Sequence, residues 1–343
     1  MRPLAAPAAP SEDHLVAAIS DVLGEQQRPL RVGIGDDAAA WKPAAHHLSL
    51  ITTDMLVDGV HFRLEATPAE ALGHKALAEN LSDIAAMGGV PVVAVVALGL
   101  PETIGVDWIR AFYRGVAQLG KSARCALAGG DISRAPALTI AVTVVGQVRR
   151  SRLKTRSAAR PGDSIVLSGA LGLSAAGLLL QEDGQCDSGS TDWELAARAA
   201  YLTPTPRLKE GRYLGATQAV HAMMDISDGL STDLARMTAA SCVDAVIYRP
   251  ALPMDPAVEA AARRFERDPL DLVLHGGDDY ELLAAVESRS AGHVSLGCKH
   301  RCGRPLITVG RFAAGSGRVW LEGQDGRTEI VPAGYDHLRA KHS

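Results

Sequence analysis

The chain has 343 residues, 47% of them hydrophobic, and this length suits about two domains with sizeable apolar cores. Its 35 basic and 39 acidic residues give a net charge of -4, so the sequence lacks the positive surplus that nucleic acid or an anionic membrane would attract. We therefore expect neither partner. The 5 cysteines are scattered and odd in number, which disfavours a disulfide framework and favours a cytoplasmic location.

Residues 1–27 are predicted to form an N-terminal tail and a first helix. The opening "MRPLAAPAAP" carries three prolines and lacks the long apolar core of a signal peptide. The longest apolar stretch, "VPVVAVVALGL" at 90–100, is far shorter than the ~20 residues of a membrane helix, and its valines favour a buried strand. We therefore expect no targeting segment and no transmembrane segment.

Residues 28–150 are predicted to form an N-terminal α/β domain. Its β-branched runs and helical periodicities indicate strands at 47–54, 91–100 and 138–148 and helices at 66–89 and near 106–121. In the first helix, Thr67 and Glu70 have the spacing of a capping box. The polar residues of this helix are expected to share one side: Lys75, Glu79, Asn80 and Asp83.

A basic segment at 149–163 separates the two halves, and we interpret most of its cations, including Lys154, as an exposed linker. Residues 151–343 are predicted to form a second α/β domain. Its expected elements are strand 164–169, a helix near 172–181, strand 220–225, a helix from about 228, strand 244–249, helix 255–265, the segment 278–286 and two strands near 306–322. The Gly-, Ser- and Asp-rich stretch 181–192 is expected to be a mobile loop.

Aspartates recur at predicted strand ends or on the polar side of a helix: Asp36, Asp37, Asp54, Asp83, Asp131, Asp225, Asp228, Asp278 and Asp279. Any one of them is well explained as a turn or N-cap residue. Together they favour a cation site, because carboxylates brought into one place repel each other unless positive charge lies between them. Oxygen-only ligands indicate magnesium, whereas "CKHRC" at 298–302 lacks the second ligand pair of a zinc site.

Magnesium held by carboxylates usually serves phosphate groups, so a nucleotide is the expected ligand. The chain nevertheless contains no GxxxxGK[ST] stretch and no GxGxxG that opens a helix after a strand. We therefore expect ATP to be bound by a different arrangement.

Six strings carry a resemblance to the thiamine-monophosphate kinase family: "GIGDDAA", "TTDMLVDGVHF", "KALAENLSDIAAMGG", "LAGGDISR", "DISDGLSTDL" and "GGDDYELL". They follow one another from residue 33 to 283, and "AGYDHL" at 333–338 resembles the usual family ending. The resemblance implies the two-domain α/β fold of aminoimidazole ribonucleotide synthetase, with the N-terminal domain paired in a homodimer. It also implies that the γ-phosphoryl group of ATP is transferred in line onto thiamine phosphate, giving thiamine diphosphate and ADP.

The same resemblance implies the site residues, position by position. Several magnesium ions would be held by Asp37, Thr52, Thr53, Asp54, Asp83, Asp131, Asp225 and Asp228. ATP would contact Gly130, Asp131, Arg156 and Ser227, and the thiamine moiety would contact His61, Asp278 and Tyr335. No residue would act as a general base, because the attacking phosphate is already largely ionised at neutral pH. Family members commonly have Glu at the position of Asp278, and whether Asp279 compensates stays open.

Other functions fit parts of the pattern. An ATP-dependent synthetase acting on a purine intermediate would share the fold. A selenophosphate synthetase would need a reactive residue near its start, and this chain has no cysteine before Cys125. A non-catalytic sensor of magnesium nucleotide is a third possibility, as are simpler roles for His61 as a loop residue and for Ser227 or Asp228 as helix caps.

Overall fold

The computed structural model of the chain describes residues 12–24, 29–32, 40–184 and 191–334. Its contacts divide the chain into two compact units. The first unit comprises Met1–Ala45, Ile51–Asn80 and Pro91–Val145. The second comprises His46–Leu50, Leu81–Val90 and Gly146–Ser343.

The N-terminal part of the chain contains three helices and six strands among its described residues. In chain order they are α1 (Glu12–Leu23), β1 (Leu30–Val32), β2 (Ala40–Trp41), β3 (His47–Val57), α2 (Ala69–Ala86), β4 (Val90–Leu100), α3 (Val106–Ala123), β5 (Ala126–Arg134) and β6 (Thr139–Arg149). The four long strands form one sheet in the order β3-β6-β4-β5, and β4 runs parallel to β5. The strands predicted at 47–54, 91–100 and 138–148 are confirmed, as is the helix near 106–121.

Helices α2 and α3 approach each other closely in the first unit because glycines face the opposing backbone. A Cβ atom at Gly73 would lie 2.0 Å from the carbonyl oxygen of Phe112, and one at Gly115 would lie 1.9 Å from that of Glu70. Helix α2 begins at Ala69, later than predicted. The expected polar side of α2 is largely buried, since Lys75, Glu79 and Asn80 are all less than a tenth exposed.

One face of the four-stranded sheet is open and carries apolar side chains. Along β6, buried Ile140, Val142 and Val144 alternate with half-buried Ala141, Thr143 and Val145. Neighbouring strands add Ile51 and Met55, which are 75% and 56% exposed, and Val95 on β4. These three residues define what we call the open face. Such an exposed apolar face is typical of a surface that another protein covers.

A bulge shapes the pairing of β4 with β5. Ala94 pairs with Leu127 and Val95 with Gly129, so that one residue of β5 is skipped, and Gly129 has a φ of 139°. A Cβ atom at the next residue, Gly130, would lie 1.8 Å from the carbonyl oxygen of Val96. Glycine is therefore required at position 130 by the close approach of two backbones.

Replacing Gly130 by alanine is expected to destabilise the protein by about 3 kcal/mol, because the strand backbone must move to admit the methyl group. Urea denaturation measures this change. Gly292→Ala is the matched control, because Gly292 lies in a helix and no atom lies within 4 Å of the position that a Cβ would occupy there. Its free energy of unfolding should rise by about 0.5–1 kcal/mol. A Gly130→Ala variant as stable as the wild type would contradict the close approach.

The C-terminal part of the chain contains seven helices and seven strands among its described residues. They are β7 (Asp163–Leu167), α4 (Leu173–Glu182), α5 (Asp192–Leu202), α6 (Leu208–Gly215), β8 (Val220–Ile226), α7 (Leu230–Ser241), β9 (Val243–Tyr248), α8 (Pro256–Arg264), α9 (Pro269–His275), β10 (Glu281–Glu287), α10 (Ala291–Cys302), β11 (Ile307–Ala314), β12 (Val319–Gly323) and β13 (Gly326–Glu329). The strands form one sheet in the order β13-β12-β9-β11-β7-β10-β8. The predicted strands and helices are confirmed, but α5, α6, α9 and α10 were not predicted.

This seven-stranded sheet has a hydrophobic core on each face. Along β7, Ile165 and Leu167 belong to one core, and Val166, which points the other way, belongs to the second. Along β10, Leu283 belongs to the first core and Leu282 to the second. The sheet is therefore covered on both sides, and its functional groups must lie at the strand ends and in the loops.

Two expectations about this half are wrong. Lys154 is not part of an exposed linker: it is 9% exposed, and its Nζ donates to the carbonyl oxygens of Val220 and Thr217 at 2.6 and 3.1 Å. Burial lowers the pKa of Lys154. The stretch 181–192 is not wholly a loop, because α4 continues to Glu182 and α5 begins at Asp192; residues 185–190 lie outside the described residues.

Candidate functional site

Two of the predicted metal ligands, Asp83 and Asp225, come together in the second unit. Asp225 lies at the end of β8 and is 8% exposed. Its Oδ2 accepts a hydrogen bond from the hydroxyl of Ser82, the residue before Asp83, at 2.6 Å. Burial, followed by the charge of the Asp83 carboxylate, raises the pKa of Asp225 to about 7. The two carboxylates therefore repel each other in a site that water screens weakly.

The turn after β8 is held by Asp233, a residue that the sequence analysis missed. Its fully buried Oδ2 accepts from the backbone N–H groups of Ser227 and Asp228 at 3.0 and 2.9 Å. Arg236 bridges the Asp228 and Asp233 carboxylates at 2.5 and 2.7 Å. Burial and the charge of Asp228 raise the pKa of Asp233 to about 6. Asp233 thus fixes the turn that presents Ser227 and Asp228. The sequence signal available for this role was an acidic residue in the first turn of helix α7.

The "GGDDY" loop lies against the same turn. The backbone N–H of Asp278 donates to the carbonyl oxygen of Ser227 at 2.8 Å, and the backbone N–H of Tyr280 donates to the carbonyl oxygen of Ile226 at 2.9 Å. Asp278 and Tyr280 both have left-handed backbone conformations, with φ of 63° and 51°. The hydroxyl of Tyr280 donates to the Asp278 carboxylate at 3.0 Å. Asp278 is thereby placed beside Ser227.

Asp279 is directed to a different element from Asp278. Its carboxylate oxygens accept from the backbone N–H groups of Gly172 and Ser174, at 2.8 and 3.4 Å, where α4 begins. Burial raises the pKa of Asp279 to about 8. Because Asp279 is engaged at the start of α4, the two adjacent aspartates have distinct surroundings.

Glu281 follows these aspartates and forms a buried ion pair that the sequence analysis also missed. Arg207 contacts both of its carboxylate oxygens, with distances of 2.9 and 2.5 Å. Arg304 lies 3.4 Å away, and the hydroxyl of Ser168 donates a short hydrogen bond to the same carboxylate. The side chain of Glu281 is 5% exposed. The sequence signal available for Glu281 was that an acidic residue directly follows "GGDDY".

The predicted ligands in the first unit are not gathered in one place by its sheet. Thr53 lies on the open face, where its hydroxyl accepts from Thr143 at 3.0 Å. Asp131 of β5 pairs with exposed Ala97 of β4 and lies on the same face. However, β3 and β5 are the two edge strands of the sheet, three strand spacings or about 14 Å apart, so Thr53 and Asp131 are not neighbours. Thr52 and Asp54 alternate with Thr53 and so point to the other side.

The remaining predicted residues have simpler settings. The Nδ1 of His61 accepts from the backbone N–H of Val57 at 3.0 Å, which ties this ring to the end of β3. Arg156 is exposed, and its carbonyl oxygen accepts from the hydroxyl of Ser241 at 2.8 Å. Gly130 is placed by the bulge in β5 described above. Asp36, Asp37 and Tyr335 lie outside the described residues.

The segment before Tyr335 does reach the turn after β8. The backbone N–H of Gly334 donates to the hydroxyl of Thr232 at 3.1 Å. A Cβ atom at Gly334 would lie 1.9 Å from the carbonyl oxygen of Asp228, so this contact requires glycine. The end of the described chain is therefore part of the surroundings of Asp228.

The donors of this site suit magnesium better than zinc. Among the described residues, no group of three or more His, Cys, Asp or Glu side chains is arranged to hold a metal ion. The Asp83 and Asp225 carboxylates and the Ser82 hydroxyl nevertheless offer oxygen atoms only, and a divalent cation would relieve the repulsion between the two carboxylates. In α10, burial raises the pKa of the Cys298 thiol to about 12, which disfavours the thiolate that zinc requires.

Two family models match the chain in succession. The model of the AIR synthase related protein, N-terminal domain, matches residues 35–148, and that of the C-terminal domain matches residues 160–308. None of the described helices combines the length and the apolar character needed to cross a membrane.

Curated relatives and solved structures agree with these matches. The thiamine-monophosphate kinase of Aquifex aeolicus is 37% identical over 307 residues, which cover 89% of this chain and 92% of the relative. That of Escherichia coli (strain K12) is 34% identical over 330 residues, covering 95% and 98%. The crystal structure of thiamine-monophosphate kinase from Stenotrophomonas maltophilia K279a is 37% identical, with a TM-score of 0.81, and covers 90% of this chain and 96% of its own.

A further solved structure, AaThiL complexed with AMPPCP and TMP, has a TM-score of 0.76 and 32% identity and covers 95% of this chain and 97% of its own. Taken together, the six sequence strings, the two-unit α/β architecture and relatives above 30% identity over nearly their whole length give one assignment. The chain belongs to the thiamine-monophosphate kinase family, and it has the two-domain fold of the AIR synthase related proteins.

Proposed function

We propose that the chain transfers the γ-phosphoryl group of ATP onto thiamine phosphate, giving thiamine diphosphate and ADP. The observation that carries the proposal is the juxtaposition of half-buried Asp83 and buried Asp225 beside the turn that presents Ser227. The relative solved with AMPPCP and TMP supports the two substrates. Product formation from ATP, Mg²⁺ and thiamine phosphate, followed by chromatography of thiamine diphosphate, tests the proposal.

The charge of the reactants determines what the residues must do. The attacking oxygen belongs to a phosphate with a second pKa near ~6, so it is largely ionised at neutral pH and needs no general base. The barrier is the repulsion between this phosphate and the triphosphate. When bound, magnesium would neutralise phosphate charge and stabilise the equatorial oxygens of the transferred group. The proposed ligands of the several magnesium ions are Asp83 and Asp225, which lie together, and also Asp37, Thr52, Thr53, Asp54, Asp131 and Asp228.

The nucleotide and thiamine contacts follow the same proposal. Gly130, Asp131, Arg156 and Ser227 would contact ATP, and His61, Asp278 and Tyr335 would contact the thiamine moiety. The backbone of Ser227 is fixed on both sides, since Asp233 accepts from its N–H and Asp278 donates to its carbonyl oxygen. A site held in this way loses little conformational freedom when a substrate binds.

We also propose that the open face of the four-stranded sheet pairs with a second copy of the chain. Ile51, Met55 and Val95 expose apolar surface there, and burying such surface contributes about 25 cal/mol per Å². Ile51→Lys should shift the sedimentation coefficient from dimer to monomer, whereas Leu296→Lys, at an exposed leucine of α10, should not. Identical sedimentation of wild type and Ile51→Lys would overturn this interface.

The division of labour between domains and the location of the protein are further proposals. Residues 28–150 would form the domain that binds ATP and magnesium and pairs in the dimer, and residues 151–343 the second domain, with 1–27 as tail and first helix. The cysteines described by the structure, namely Cys125, Cys242, Cys298 and Cys302, are free thiols, which fits the proposed cytoplasmic location.

The product assay also separates the alternatives. A magnesium-nucleotide sensor would bind ATP tightly and form no thiamine diphosphate. A synthetase of the same fold would release ADP only with a purine intermediate. Thiamine diphosphate that accumulates in proportion to enzyme supports the kinase, and its absence with both substrates and Mg²⁺ present overturns the proposal.

Replacing Asp278 by glutamate is expected to keep or lower the KM for thiamine phosphate, because it restores the side chain that is common in the family. The left-handed backbone at this position tolerates Asp better than Glu, so the variant should lose about 1 kcal/mol of stability. Steady-state kinetics and urea denaturation measure the two effects. Asp278→Asn, which tolerates the same backbone but removes the charge, is the control. A tenfold higher KM in the glutamate variant would contradict the assigned contact.

A further inference from the structure

Residues 154–159 lie beside the outer edge of β8, and we call this segment the edge strap. β8 is the last strand in the order of the seven-stranded sheet, and none of the described strands pairs with its outer edge. The backbone N–H of Met223 in β8 donates instead to the carbonyl oxygen of Thr155 at 3.2 Å. Asp225, a proposed magnesium ligand, follows Met223 by two residues, or about 7 Å along the strand. The edge strap is therefore attached to β8 close to the proposed metal site.

Lys154 holds the first end of the edge strap. Its Nζ donates to the carbonyl oxygen of Val220, the first residue of β8, at 2.6 Å and to that of Thr217 at 3.1 Å. The side chain is buried, and no carboxylate of the described residues lies within ion-pair distance of it. Taking an ammonium group out of water without an opposing charge is costly. The contacts that accompany this cost tie the edge strap to the start of β8.

Ser241, the last residue of α7, holds the other end of the edge strap. Its hydroxyl donates to the carbonyl oxygen of Arg156 at 2.8 Å and accepts from the backbone N–H of Ala159 at 3.1 Å. One half-buried hydroxyl therefore bridges two backbone groups that are three residues apart. The turn that contains Arg156 is closed by this bridge.

Arg156 lies between these two anchors, and its side chain is exposed. Within the described part of the chain, no side chain forms an ion pair or a hydrogen bond with its guanidinium group. A guanidinium group in this state can form two parallel hydrogen bonds to a phosphate. Ordering a backbone costs conformational entropy, and here the hydrogen bonds of the edge strap order it before any ligand binds. Arg156 thus combines a fixed backbone with a cation that is available to an anionic ligand.

We propose that Lys154 and Ser241 are positioning residues that hold the edge strap so that the guanidinium group of Arg156 meets the phosphates of ATP, an inference that rests on the proposed function. Neither residue needs to touch the nucleotide, because the ammonium group of Lys154 contacts two carbonyl oxygens and the hydroxyl of Ser241 contacts two backbone groups. Losing either anchor should release the backbone of Arg156. Binding of ATP should then weaken, and binding of thiamine phosphate should not.

Two variants and one control test the proposal by calorimetric titration of the full chain with ATP and Mg²⁺. Lys154→Met keeps the length of the side chain, removes both hydrogen bonds to carbonyl oxygens and should raise the Kd of ATP at least fivefold. Ser241→Ala should raise it at least threefold. The KM for ATP should rise by similar factors, while the KM for thiamine phosphate stays within twofold of the wild type. Lys299→Met makes the same change at an exposed position of α10 and should alter none of these constants.

A double-mutant cycle separates positioning of Arg156 from general damage to the fold. Arg156→Ala should itself raise the Kd of ATP, and adding Lys154→Met to it should change that Kd by less than twofold, because the group that Lys154 positions is already absent. A merely structural role of Lys154 would lower the affinity for ATP equally in both backgrounds. Ser241→Ala removes a single oxygen atom and serves in the same cycle if Lys154→Met does not fold.

The proposal is overturned if Lys154→Met and Ser241→Ala both bind ATP within twofold of the wild type. It is also overturned if the loss of affinity is the same with and without the Arg156 side chain, or if Arg156→Ala leaves the Kd unchanged. If the wild type forms thiamine diphosphate in these cases, the proposed function stands alone. If the wild type neither binds ATP nor forms thiamine diphosphate, both proposals fail.

Discussion

Asp83→Asn is expected to lower kcat by about 10²–10³-fold, the scale seen when one group that stabilises developing charge is removed. The residue follows Ser82, whose hydroxyl donates to Asp225, so the two carboxylates face one site. Asparagine keeps the size of the side chain and removes its charge. Cation binding should therefore weaken while the packing of α2 is retained.

The same variant should be more stable than the wild type when EDTA is present. Burial and then the charge of the Asp83 carboxylate raise the pKa of Asp225, and the repulsion between the two carboxylates destabilises the folded protein when no cation is bound. Removing one charge should raise the free energy of unfolding by about 1 kcal/mol, since one pKa unit corresponds to about 1.4 kcal/mol. Opposite changes in activity and stability are a signature that general damage to the fold would not give.

Steady-state kinetics over a range of Mg²⁺ concentrations and thermal denaturation in EDTA measure these effects. Asp325→Asn makes the same chemical change at an exposed turn and should alter neither property. Near-normal kcat for Asp83→Asn at limiting Mg²⁺ would rule out a ligand role for this residue.

Arg207→Met is expected to destabilise the protein by about 3–5 kcal/mol, because it leaves the buried Glu281 carboxylate without its main partner. The side chains of Arg207 and Glu281 are 16% and 5% exposed, so water screens the pair only weakly. Arg304, at 3.4 Å, and Ser168 remain and keep the loss from being larger. Methionine fills a similar volume, which isolates the effect of charge.

Urea denaturation measures the loss of stability, and two further variants serve as a control and as a rescue. Arg327→Met breaks an exposed pair with Glu322 and should cost about 0–1 kcal/mol. Adding Glu281→Gln to Arg207→Met removes the unpaired charge and should restore part of the stability. A loss below about 1 kcal/mol in Arg207→Met, the range of an exposed pair, would show that the pair is not important for stability.

The strands and several helices could be predicted because burial leaves a direct pattern in the sequence. The valines of 90–100 and the alternation along 139–149 specify strands whatever their neighbours are. Helix α6 could not be predicted in the same way, since Gly211 and Gly215 indicate a break. In the structure those glycines permit contact: a Cβ at Gly211 would lie 2.3 Å from the carbonyl oxygen of Ala85.

The residues of the site could be predicted from the sequence, but the residues that they contact could not. Asp83 and Asp225 were named from their positions on a helix and at a strand end, and the structure places them together. The supporting roles of Asp233 and Glu281 depend on contacts with residues far along the chain, such as Arg207, and no local pattern encodes these. The separate roles of Asp278 and Asp279 depend on left-handed backbone angles, which the sequence "GGDDY" does not specify.

The alternation of Ile165, Val166 and Leu167 along β7 has a consequence for protein engineering. Because the sheet separates its two cores, a packing substitution beside Val166 and another beside Leu167 fall in different core clusters. Gains in melting temperature obtained from separate libraries for each layer should then add when combined, with deviations of about 0.5 kcal/mol or less. Thermostable forms could be assembled from independently selected halves rather than searched for jointly.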